Sequence, residues 1–337
     1  MIVKRFSTLL VCLVLAGCQE TPSESGISGE AQGTTYHIKL VLDATQATLT
    51  DVQSQVTSML DDIDAKLSNY REDSEISRIN QQETSDWISV SPEIAELLSI
   101  AHTVYERSNG CYDLTVKPIF DLWGFSRHEG RVPTQDEIDA VLAHVGMPLL
   151  ELDTANLRLR KKDPKLKIDL SSIAQGYGVG LVARKIESLG VHDYLVEIGG
   201  EMIVKGRKKS WPYHWQVAIE KPNPFTREVQ KVVEVREVQG TAIMTAGTYR
   251  NFFEDQGRSY SHIINPKTGR PVTHHLVSVT VMHDDQTWAD AWDTALLCVG
   301  EQEAARIADA ESLKVLLIYK GSDRFEEHLS KAFRATQ

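Results

Sequence analysis

The sequence is poor in cysteine, in aromatic residues and in positive charge. Its 337 residues include 4 Cys and 7% aromatic residues, and 36 Lys and Arg stand against 47 Asp and Glu, giving a net charge of −11. So acidic a surface argues against nucleic acid as a ligand, because phosphates are bound through Lys and Arg. There are no internal repeats, low-complexity tracts or heptads. The remaining composition is ordinary, and the length fits one large domain or two small ones.

The N-terminus has the pattern of a bacterial secretion signal. Lys4 and Arg5 precede an apolar run over 9–15, which is too short to span a bilayer. Leu15-Ala-Gly-Cys18 follows and resembles a lipoprotein cleavage site. We therefore predict a signal peptide over 1–17, lipidation of Cys18, a flexible polar tether over 18–28 and a single domain over 29–337. The alternative is a plain signal peptide with an incidental cysteine.

This interpretation assigns two of the four cysteines to the N-terminus. Cys12 is removed with the signal and Cys18 carries the lipid, which leaves Cys111 and Cys298. Two cysteines in so long a chain do not form a disulfide framework. Cys298 lies in an apolar run, where we expect it to pack in the core. Removal of Lys4 and Arg5 changes the net charge from −11 to −13.

Apolar periodicity predicts helices before residue 120 and mainly strands from 194 to 282. A spacing near 3.6 residues indicates helices, and strict alternation indicates strands. Predicted helices lie over 50–67, from Pro92 to about Arg107, and over 134–145; predicted strands lie over 29–42, 166–170, 215–219, 232–238 and 276–282, with a hairpin over 194–204 that turns at Gly199-Gly200.

Three glycines open the helix that follows residue 170. Gly176, Gly178 and Gly180 each cost about 1 kcal/mol relative to alanine inside a helix, so a reason is needed. One reason is the close approach of a phosphate to the helix N-terminus, where free N–H groups favour anions. The other is tight packing against the sheet. The sequence leaves both open.

A second helix, beginning near residue 287, carries clustered oxygen ligands. Positions three and four apart share a helix face, so Asp290, Asp293 and Thr294 are expected to present their oxygens together. Such hard ligands suit Mg²⁺ or Ca²⁺ rather than zinc. The alternative is helix capping, because Thr287 and Asp290 fit a capping box. Capping does not account for Asp293 or Thr294.

Two further side chains have a functional and a structural interpretation. His262 lies in a segment dense in hydroxyl groups, bases and turn-forming residues, and is a candidate general base or phosphate ligand. A single histidine also often has only a structural role. Tyr70 follows a helix end, where it is suited either to stack on a flat ligand or simply to pack.

Eight short stretches together resemble one family, the ApbE flavin transferases. Each motif is modest alone, but all eight occur in the family's order. They are Gly33-Thr-Thr-Tyr36, Leu67-Ser-Asn-Tyr70, Asp113-Leu-Thr-Val116 with Leu122-Trp-Gly124, Asp169-Leu-Ser-Ser-Ile-Ala-Gln-Gly-Tyr177, Glu197-Ile-Gly-Gly200, Thr245-Ala-Gly-Thr-Tyr249, His262-Ile-Ile-Asn-Pro-Lys-Thr-Gly269 and Ala289-Asp-Ala-Trp-Asp-Thr-Ala295.

The resemblance implies an α+β, T-fold-like domain with FAD in a cleft between two halves. It also implies transfer of the FMN part of FAD to a Ser or Thr hydroxyl of a partner protein, with release of AMP. Asp290 and His262 are then the predicted catalytic residues. Residues expected to contact FAD are Gln32, Tyr70, Cys111, Tyr112, Asp113, Asp169, Gln175 and Ile264; those expected to hold Mg²⁺ are Asp290, Asp293, Thr294 and the backbone carbonyl of Ser172.

Two positions depart from the family's pattern. Gln175 stands where a lysine is common, which removes one charge contact to the diphosphate; a second metal ion or Arg250 is a candidate to compensate. Gln32 replaces a common methionine, which changes packing more than chemistry. Two other functions remain open at this stage, a metal-dependent FAD pyrophosphatase and a non-catalytic flavin-binding lipoprotein.

The resemblance also implies a partner and a location. Family acceptors are subunits of membrane redox complexes, of the Na⁺-pumping NADH:quinone oxidoreductase and Rnf types, modified within a Ser/Asp-Gly-Ala/Ser-Thr/Ser sequence. We therefore expect a protein anchored by its lipid to the periplasmic side of the inner membrane. Gln19 is not the Asp that usually retains lipoproteins there, so the outer membrane is the alternative.

Overall fold

Most of the strands lie in the C-terminal half of the protein. The structure, a computed structural model, describes residues 23–42, 47–127 and 129–336. The strands within these ranges are β1 Ser23–Ala31, β2 Thr34–Leu42, β3 Trp87–Ser89, β4 Leu150–Asp153, β5 Arg158–Lys161, β6 Tyr194–Ile198, β7 Glu201–Lys205, β8 Trp215–Glu220, β9 Val229–Val235, β10 Thr241–Gly247, β11 Phe252–Asp255, β12 Arg258–Ser261, β13 Ile264–Asn265, β14 Arg270–Pro271, β15 Leu276–His283, β16 Lys314–Lys320 and β17 Phe325–Leu329.

Helices dominate the N-terminal half, as the periodicity predicts. Among the described residues, no helix combines the length and the apolar character needed to cross a membrane. The helices are α1 Leu49–Leu67, α2 Glu75–Gln81, α3 Pro92–Arg107, α4 Lys117–Leu122, α5 Gln135–Leu142, α6 Ala174–Ser188, α7 Gln286–Val299, α8 Glu301–Ala310 and α9 Lys331–Arg334.

Side-chain caps mark several helix starts. The Ser91 side chain accepts a hydrogen bond from the Ile94 N–H, and Pro92 occupies the first turn of α3. At α5, Thr134 and Glu137 form a capping box. These local contacts fix where each helix begins, and the core then fixes how the helices pack.

The centre of the fold is an eight-stranded sheet in the order β1-β2-β6-β7-β10-β15-β16-β17, with every neighbouring pair antiparallel. Helices α1, α3, α6 and α7 cover one face and form the main hydrophobic core with it. The two-stranded ribbon β8–β9 packs on the other face through a second, smaller cluster. The functional side chains described below lie where the helical face of the sheet meets α6 and α7.

The tether prediction is wrong for residues 23–28. These residues form most of β1, which pairs with β2 along its whole length and turns at Gln32-Gly33. Ile27 is buried in the main core, while its Ser, Glu and Gly neighbours give the strand a linker-like composition. A single buried position is too weak a signal to indicate a strand. The predicted signal peptide, Cys18 and Gln19 lie outside the described residues.

The predicted strand over 166–170 pairs with no other strand among the described residues. Two asparagine side chains take the place of a neighbouring strand. The side-chain amides of Asn69 and Asn80 each donate to the Ile168 carbonyl at 2.8 Å. Their own oxygens accept from the N–H groups of Leu170 and Ile168, both at 2.7 Å. Because buried backbone groups must be paired, these two side chains fix the segment that leads into α6.

Candidate active site

Two adjoining cavities contain every site residue predicted from the sequence within the described part of the chain. Their volumes are about 210 and 180 Å³, and both are bordered by Ser171 and Gln175. The first cavity is lined by Cys111, Tyr112, Asp113, Asp169, Ser172, Gln175, His262, Ile264, Asp290, Asp293 and Thr294, and the second by Gln32, Tyr70 and Gln175.

Helix α7 presents Asp290, Asp293 and Thr294 to the first cavity, as the helical spacing predicts. The capping interpretation of Asp290 is wrong. The helix begins two residues earlier in the chain, where the N-cap Asp285 accepts hydrogen bonds from the N–H groups of Thr287 and Trp288 at 2.9 and 3.0 Å. Asp290 is therefore inside the helix, and capping does not explain its burial.

A third carboxylate, missed by sequence reasoning, completes the cluster. Glu201 opens β7 directly after the Gly199-Gly200 turn, and its side chain lies with Asp290 and Asp293 so that one oxygen of each falls within 4.8 Å of the others. All three residues are buried. Strand alternation offered a signal, because Glu201 shares the core-facing side of β7 with Ile203.

The charges of this cluster are poorly compensated by the protein. Burial raises the pKa of Asp290 to about 7. Burial, reinforced by the neighbouring carboxylates, also raises the pKa values of Asp293 and Glu201 well above their usual range. Both carboxylate oxygens of Asp293, which is 1% exposed, are buried without a hydrogen-bond partner. Buried carboxylates are normally paired or bound to a metal, so this donor set fits a hard divalent cation.

Close packing accounts for the glycines of α6. A Cβ at Gly176 would lie 2.6 Å from both the Asp290 Cβ and the Gln286 carbonyl oxygen of α7, and one at Gly180 would meet Gln286 at 2.6 Å. A Cβ at Gly178 would lie 2.8 Å from the Gln32 side chain. The Gly176 N–H donates to Asp290 Oδ2 at 2.7 Å. The packing alternative is thus confirmed, with α7 and Gln32 as the partners in place of the sheet, and the approach of a phosphate stays a prediction.

His262 lies in the wall of the first cavity in a form suited to accept a proton. Its Nδ1 lies 3.0 Å from the Asn251 carbonyl oxygen. A carbonyl only accepts, so Nδ1 carries the hydrogen and Nε2 keeps its lone pair. Burial lowers the pKa of His262, with partial opposition from that hydrogen bond. The ring is therefore neutral at neutral pH.

Some predicted contact residues of the first cavity also have internal partners. Asp113 accepts from Thr115 through one oxygen and from the Met147 N–H, at 3.0 Å, through the other. The Tyr112 hydroxyl donates to the Ser172 carbonyl at 3.2 Å. Since a carbonyl oxygen has two lone pairs, Ser172 can still accept a second contact. These bonds hold the wall opposite α7 in place.

The second cavity is more open and less polar in its contacts. Tyr70 is 65% exposed on its wall, so its ring is free to stack on a flat ligand. Gln32 occupies the turn between β1 and β2, donates its N–H to Asp64 Oδ2 at 3.2 Å, and has a buried side-chain oxygen without a partner. Tyr70 therefore supplies this cavity with a planar ring, and Gln32 supplies a side-chain oxygen that has no hydrogen bond among the described residues.

A disulfide bond between Cys111 and Cys298 borders the first cavity. Cys298 is buried in the main core, as expected, but its sulfur is also bonded to a residue 187 positions away, which the sequence analysis did not predict. No spacing pattern relates two cysteines so far apart. The bond joins the C-terminal end of α7 to the segment that carries Tyr112 and Asp113.

Comparison with known proteins identifies the relationship. The ApbE family model matches residues 32–317. The FAD:protein FMN transferase of Vibrio cholerae is 39% identical over 325 residues, covering 96% of this chain and 95% of that protein. The enzyme of the same name from Haemophilus influenzae is 37% identical, with 96% and 94% covered. The chain belongs to the ApbE family.

Solved ApbE structures share the fold. The flavin transferase ApbE of Vibrio cholerae superposes with a TM-score of 0.85 at 38% identity, covering 93% of this chain and 99% of that one. The apo flavinyl transferase ApbE of Pseudomonas stutzeri gives 0.83 at 33% identity, covering 93% and 96%. The predicted family and the predicted α+β fold class are confirmed.

Within this ApbE chain, Arg250 is not placed to replace the missing lysine. Its guanidinium pairs with Glu220 and lies over the Tyr249 ring, and it lines a different cavity from Gln175. The Gln175 side chain itself lies against Gly199, where a Cβ would overlap it. Arg250 therefore takes no part in the charge balance of the first two cavities.

Proposed function

We propose that this protein transfers the FMN part of FAD to a Ser or Thr hydroxyl of an acceptor protein, in a reaction that depends on Mg²⁺. The observation that carries the proposal is the buried cluster of Glu201, Asp290 and Asp293, with unpartnered Asp293 oxygens, at the end of a two-part cavity. The names of the curated relatives support the same activity.

The two cavities suit a ligand with two ends. Neither is as large as the roughly 300 Å³ of a typical small-molecule site, but they adjoin at Ser171 and Gln175. We infer that FAD extends across both, with the isoalloxazine ring against Tyr70. Cys111, Tyr112, Asp113 and Ile264 are then placed to contact the other part of the dinucleotide, and the diphosphate lies near Gln175 and Asp169.

Asp290, Asp293 and Thr294 are the residues that would hold Mg²⁺, with Glu201 and the Ser172 carbonyl beside them. When bound, the ion would supply charge neutralisation at the diphosphate, which is the main requirement of phosphoryl transfer. The protein holds this position rigidly, because Asp290 is fixed by the Gly176 N–H and α7 packs closely on α6.

We assign the general base to His262. Its free Nε2 would take the proton of the acceptor hydroxyl as that oxygen attacks the phosphorus next to riboflavin. A new oxygen–phosphorus bond forms, the anhydride bond breaks, and its electron pair leaves with AMP. The anhydride supplies the driving force, so neither ATP nor an oxidant is needed. The Asn251 carbonyl keeps the ring in the required tautomer.

We also propose that the protein acts outside the cytoplasm as a lipid-anchored enzyme of the inner membrane, with redox-complex subunits as acceptors. The disulfide supports an oxidising compartment, since such bonds are rare in reducing cytosol. The lipoprotein pattern that ends at Cys18 supports anchoring. Gln19 leaves the outer membrane as the alternative, which membrane fractionation of the native protein would distinguish.

Mass spectrometry tests the activity directly. The full-length protein is incubated with FAD, Mg²⁺ and a soluble acceptor domain that carries an Asp-Gly-Ala-Thr sequence. We expect one FMN phosphoester on the acceptor and an equal amount of AMP. Free FMN with AMP and an unmodified acceptor would assign the protein as an FAD pyrophosphatase. FAD bound without either product would indicate a flavin-binding protein with no catalysis.

A further inference from the structure

A third cavity, which we call the ribbon groove, lies on the opposite face of the sheet from the carboxylates. It measures about 520 Å³ and is lined by Thr35 and His37 of β2, the Gly199-Gly200 turn, residues 217–220 of β8, and Tyr249. Alternation along β2 places Thr35 and His37 away from the helices, because Tyr36 belongs to the main core. The groove is therefore bounded by the exposed face of β2 and β6 and by the edge of the β8–β9 ribbon.

A gap in the sheet connects this groove with the site. Strand β7 pairs with β10 only along Thr241–Ile243, whereas β10 continues to Gly247 beside β15. In the described part of the chain, no strand lies on the β7 side of residues 244–247. The Thr245 N–H points into this gap and donates to Glu201 Oε2 at 3.0 Å. The groove and the carboxylate cluster consequently meet at a single hydrogen bond.

The turn at the edge of the gap leaves room for another chain. Gly200 has φ of 103°, and no atom lies within 4 Å of the position of a Cβ. Its neighbour Gly199 lies against Gln175, which borders both flavin cavities. The turn is therefore in contact with the proposed FAD site on one side and open on the other. A polypeptide backbone can approach that open side closely.

Charge at the groove rim indicates the chemistry of the occupant. Glu220 pairs with two cations, Arg250 and, at 3.5 Å, Arg227. One carboxylate between two guanidinium groups leaves an excess positive charge at this end, whereas the other end carries Glu197, which pairs with His37 at 2.7 Å. The Arg227 side chain is 81% exposed and free to turn toward a ligand. An acidic side chain fits this position.

We propose that the ribbon groove binds the acceptor protein as an extended segment, with its hydroxyl residue entering the gap beside Thr245 and an acidic side chain near Arg227. The inference rests on the proposed function, because it supplies the route by which the acceptor oxygen reaches the phosphorus. The two flavin cavities are occupied by the nucleotide in this scheme, so the acceptor enters from the other face of the sheet. The unpaired segment of β10 offers backbone groups to an extended chain.

Two matched tryptophan substitutions test the groove. Thr35→Trp places a ring inside it, whereas Lys39→Trp places one on the same strand and the same exposed face but outside it. With the Asp-Gly-Ala-Thr acceptor domain as probe, we expect Thr35→Trp to raise the acceptor KM at least about tenfold. We expect Lys39→Trp to match wild type. FAD affinity, measured by flavin fluorescence, stays unchanged in both.

Charge reversal supplies an independent measurement. Arg227→Glu is expected to raise the acceptor KM several-fold. The control is Arg236, which directly follows β9 and lies outside the groove, and Arg236→Glu is expected to leave the acceptor KM unchanged. Acceptor kinetics that are the same in Thr35→Trp and Arg227→Glu as in their controls would overturn the inference while transfer by wild type still supports the proposed function. If Thr35→Trp or Arg227→Glu lost self-association while the acceptor KM stayed unchanged, the groove would be assigned to a second copy of this chain. That result would also overturn the inference. A wild-type protein that transfers no FMN would contradict both.

Discussion

Asp290 and Asp293 of helix α7 and Glu303 of the next helix, α8, lie in opposite environments. Helices α7 and α8 are separated only by Gly300. In α7, Asp290 and Asp293 are buried and their pKa values are raised by burial. In α8, Glu303 is exposed, pairs with Arg306 at 2.6 Å, and has a lowered pKa because of that hydrogen bond. The proposed metal site accounts for the burial of the two acids of α7.

The largest effect on FMN transfer is expected from replacing Asp293, the buried carboxylate whose oxygens have no hydrogen-bond partner among the described residues. Asp293→Asn keeps the shape of the side chain but removes a proposed metal ligand, so transfer should fall below detection. Metal-free stability should rise most at high pH, because burial disfavours the ionised carboxylate that the substitution removes. Transfer assays and thermal unfolding in EDTA measure the two changes.

The surface acid is the matched control for this substitution. Glu303→Ala removes only an exposed ion pair, so we expect wild-type transfer and an unchanged unfolding temperature. Normal turnover by Asp293→Asn or Asp290→Ala, or by wild type in EDTA, would contradict the metal role. Equal behaviour of Asp293→Asn and Glu303→Ala would remove the distinction between the two helices.

Removal of the base is expected to have the next largest effect. His262→Ala should reduce kcat at least roughly a hundredfold, as loss of a general base usually does, with little change in FAD affinity. His102 is an exposed histidine of α3, and His102→Ala is the control, whose kcat should match that of wild type. A His262→Ala rate within a few-fold of wild type would leave His262 with a structural role only.

The effect of pH distinguishes the buried from the exposed acids. The pKa of Asp290 is raised to about 7, so protons compete with Mg²⁺ below that pH. We expect the stabilisation by Mg²⁺ to increase from pH 6 to pH 8. Without metal, this group should stabilise the fold most at low pH, and that contribution should be lost as pH rises through about 7.

Thermal unfolding from pH 4 to pH 8, with and without Mg²⁺, measures both trends, because the metal-free contribution is lost between pH 3.8 and about 7. The Asp290→Asn variant should lose both, whereas Glu303→Ala should keep them. A metal effect that is constant from pH 6 to pH 8 would show that Asp290 does not bind the ion as a carboxylate. The comparison thus separates binding at α7 from general ionic stabilisation.

The smallest effect on transfer is expected from the disulfide. Cys111→Ala with Cys298→Ala should lower the free energy of unfolding by about 2–4 kcal/mol, because the bond restricts a long loop of the unfolded chain. At temperatures well below unfolding, transfer should fall only modestly. Urea unfolding with and without reductant measures this, and reductant should affect wild type alone. An unchanged midpoint in reductant would contradict a stabilising role.

Local patterns predicted the elements whose signals lie close together in the sequence. The start of α3 follows from Ser91 and Pro92, and the β6–β7 hairpin follows from Gly199 and Gly200. Asp290, Asp293 and Thr294 share a helix turn, so their common face was also predictable. In each case the deciding contacts are made within a few residues.

The features that were missed depend on contacts between distant residues. Glu201 joins the carboxylate cluster from a strand 89 positions before Asp290, and nothing near it in the sequence indicates that distance. The extended segment at 168 resembles a strand, but its partners are the side chains of Asn69 and Asn80. The tertiary fold creates these contacts, and local periodicity does not contain them.

The position of Cys298 in the sequence bears on how the protein matures. It lies 187 positions after Cys111, so the bond between them closes only after residue 298 has been synthesised. A nascent chain therefore has the segment with Tyr112 and Asp113 before it has α7 with its acids. Completion of the first cavity is consequently postponed until α7 has emerged.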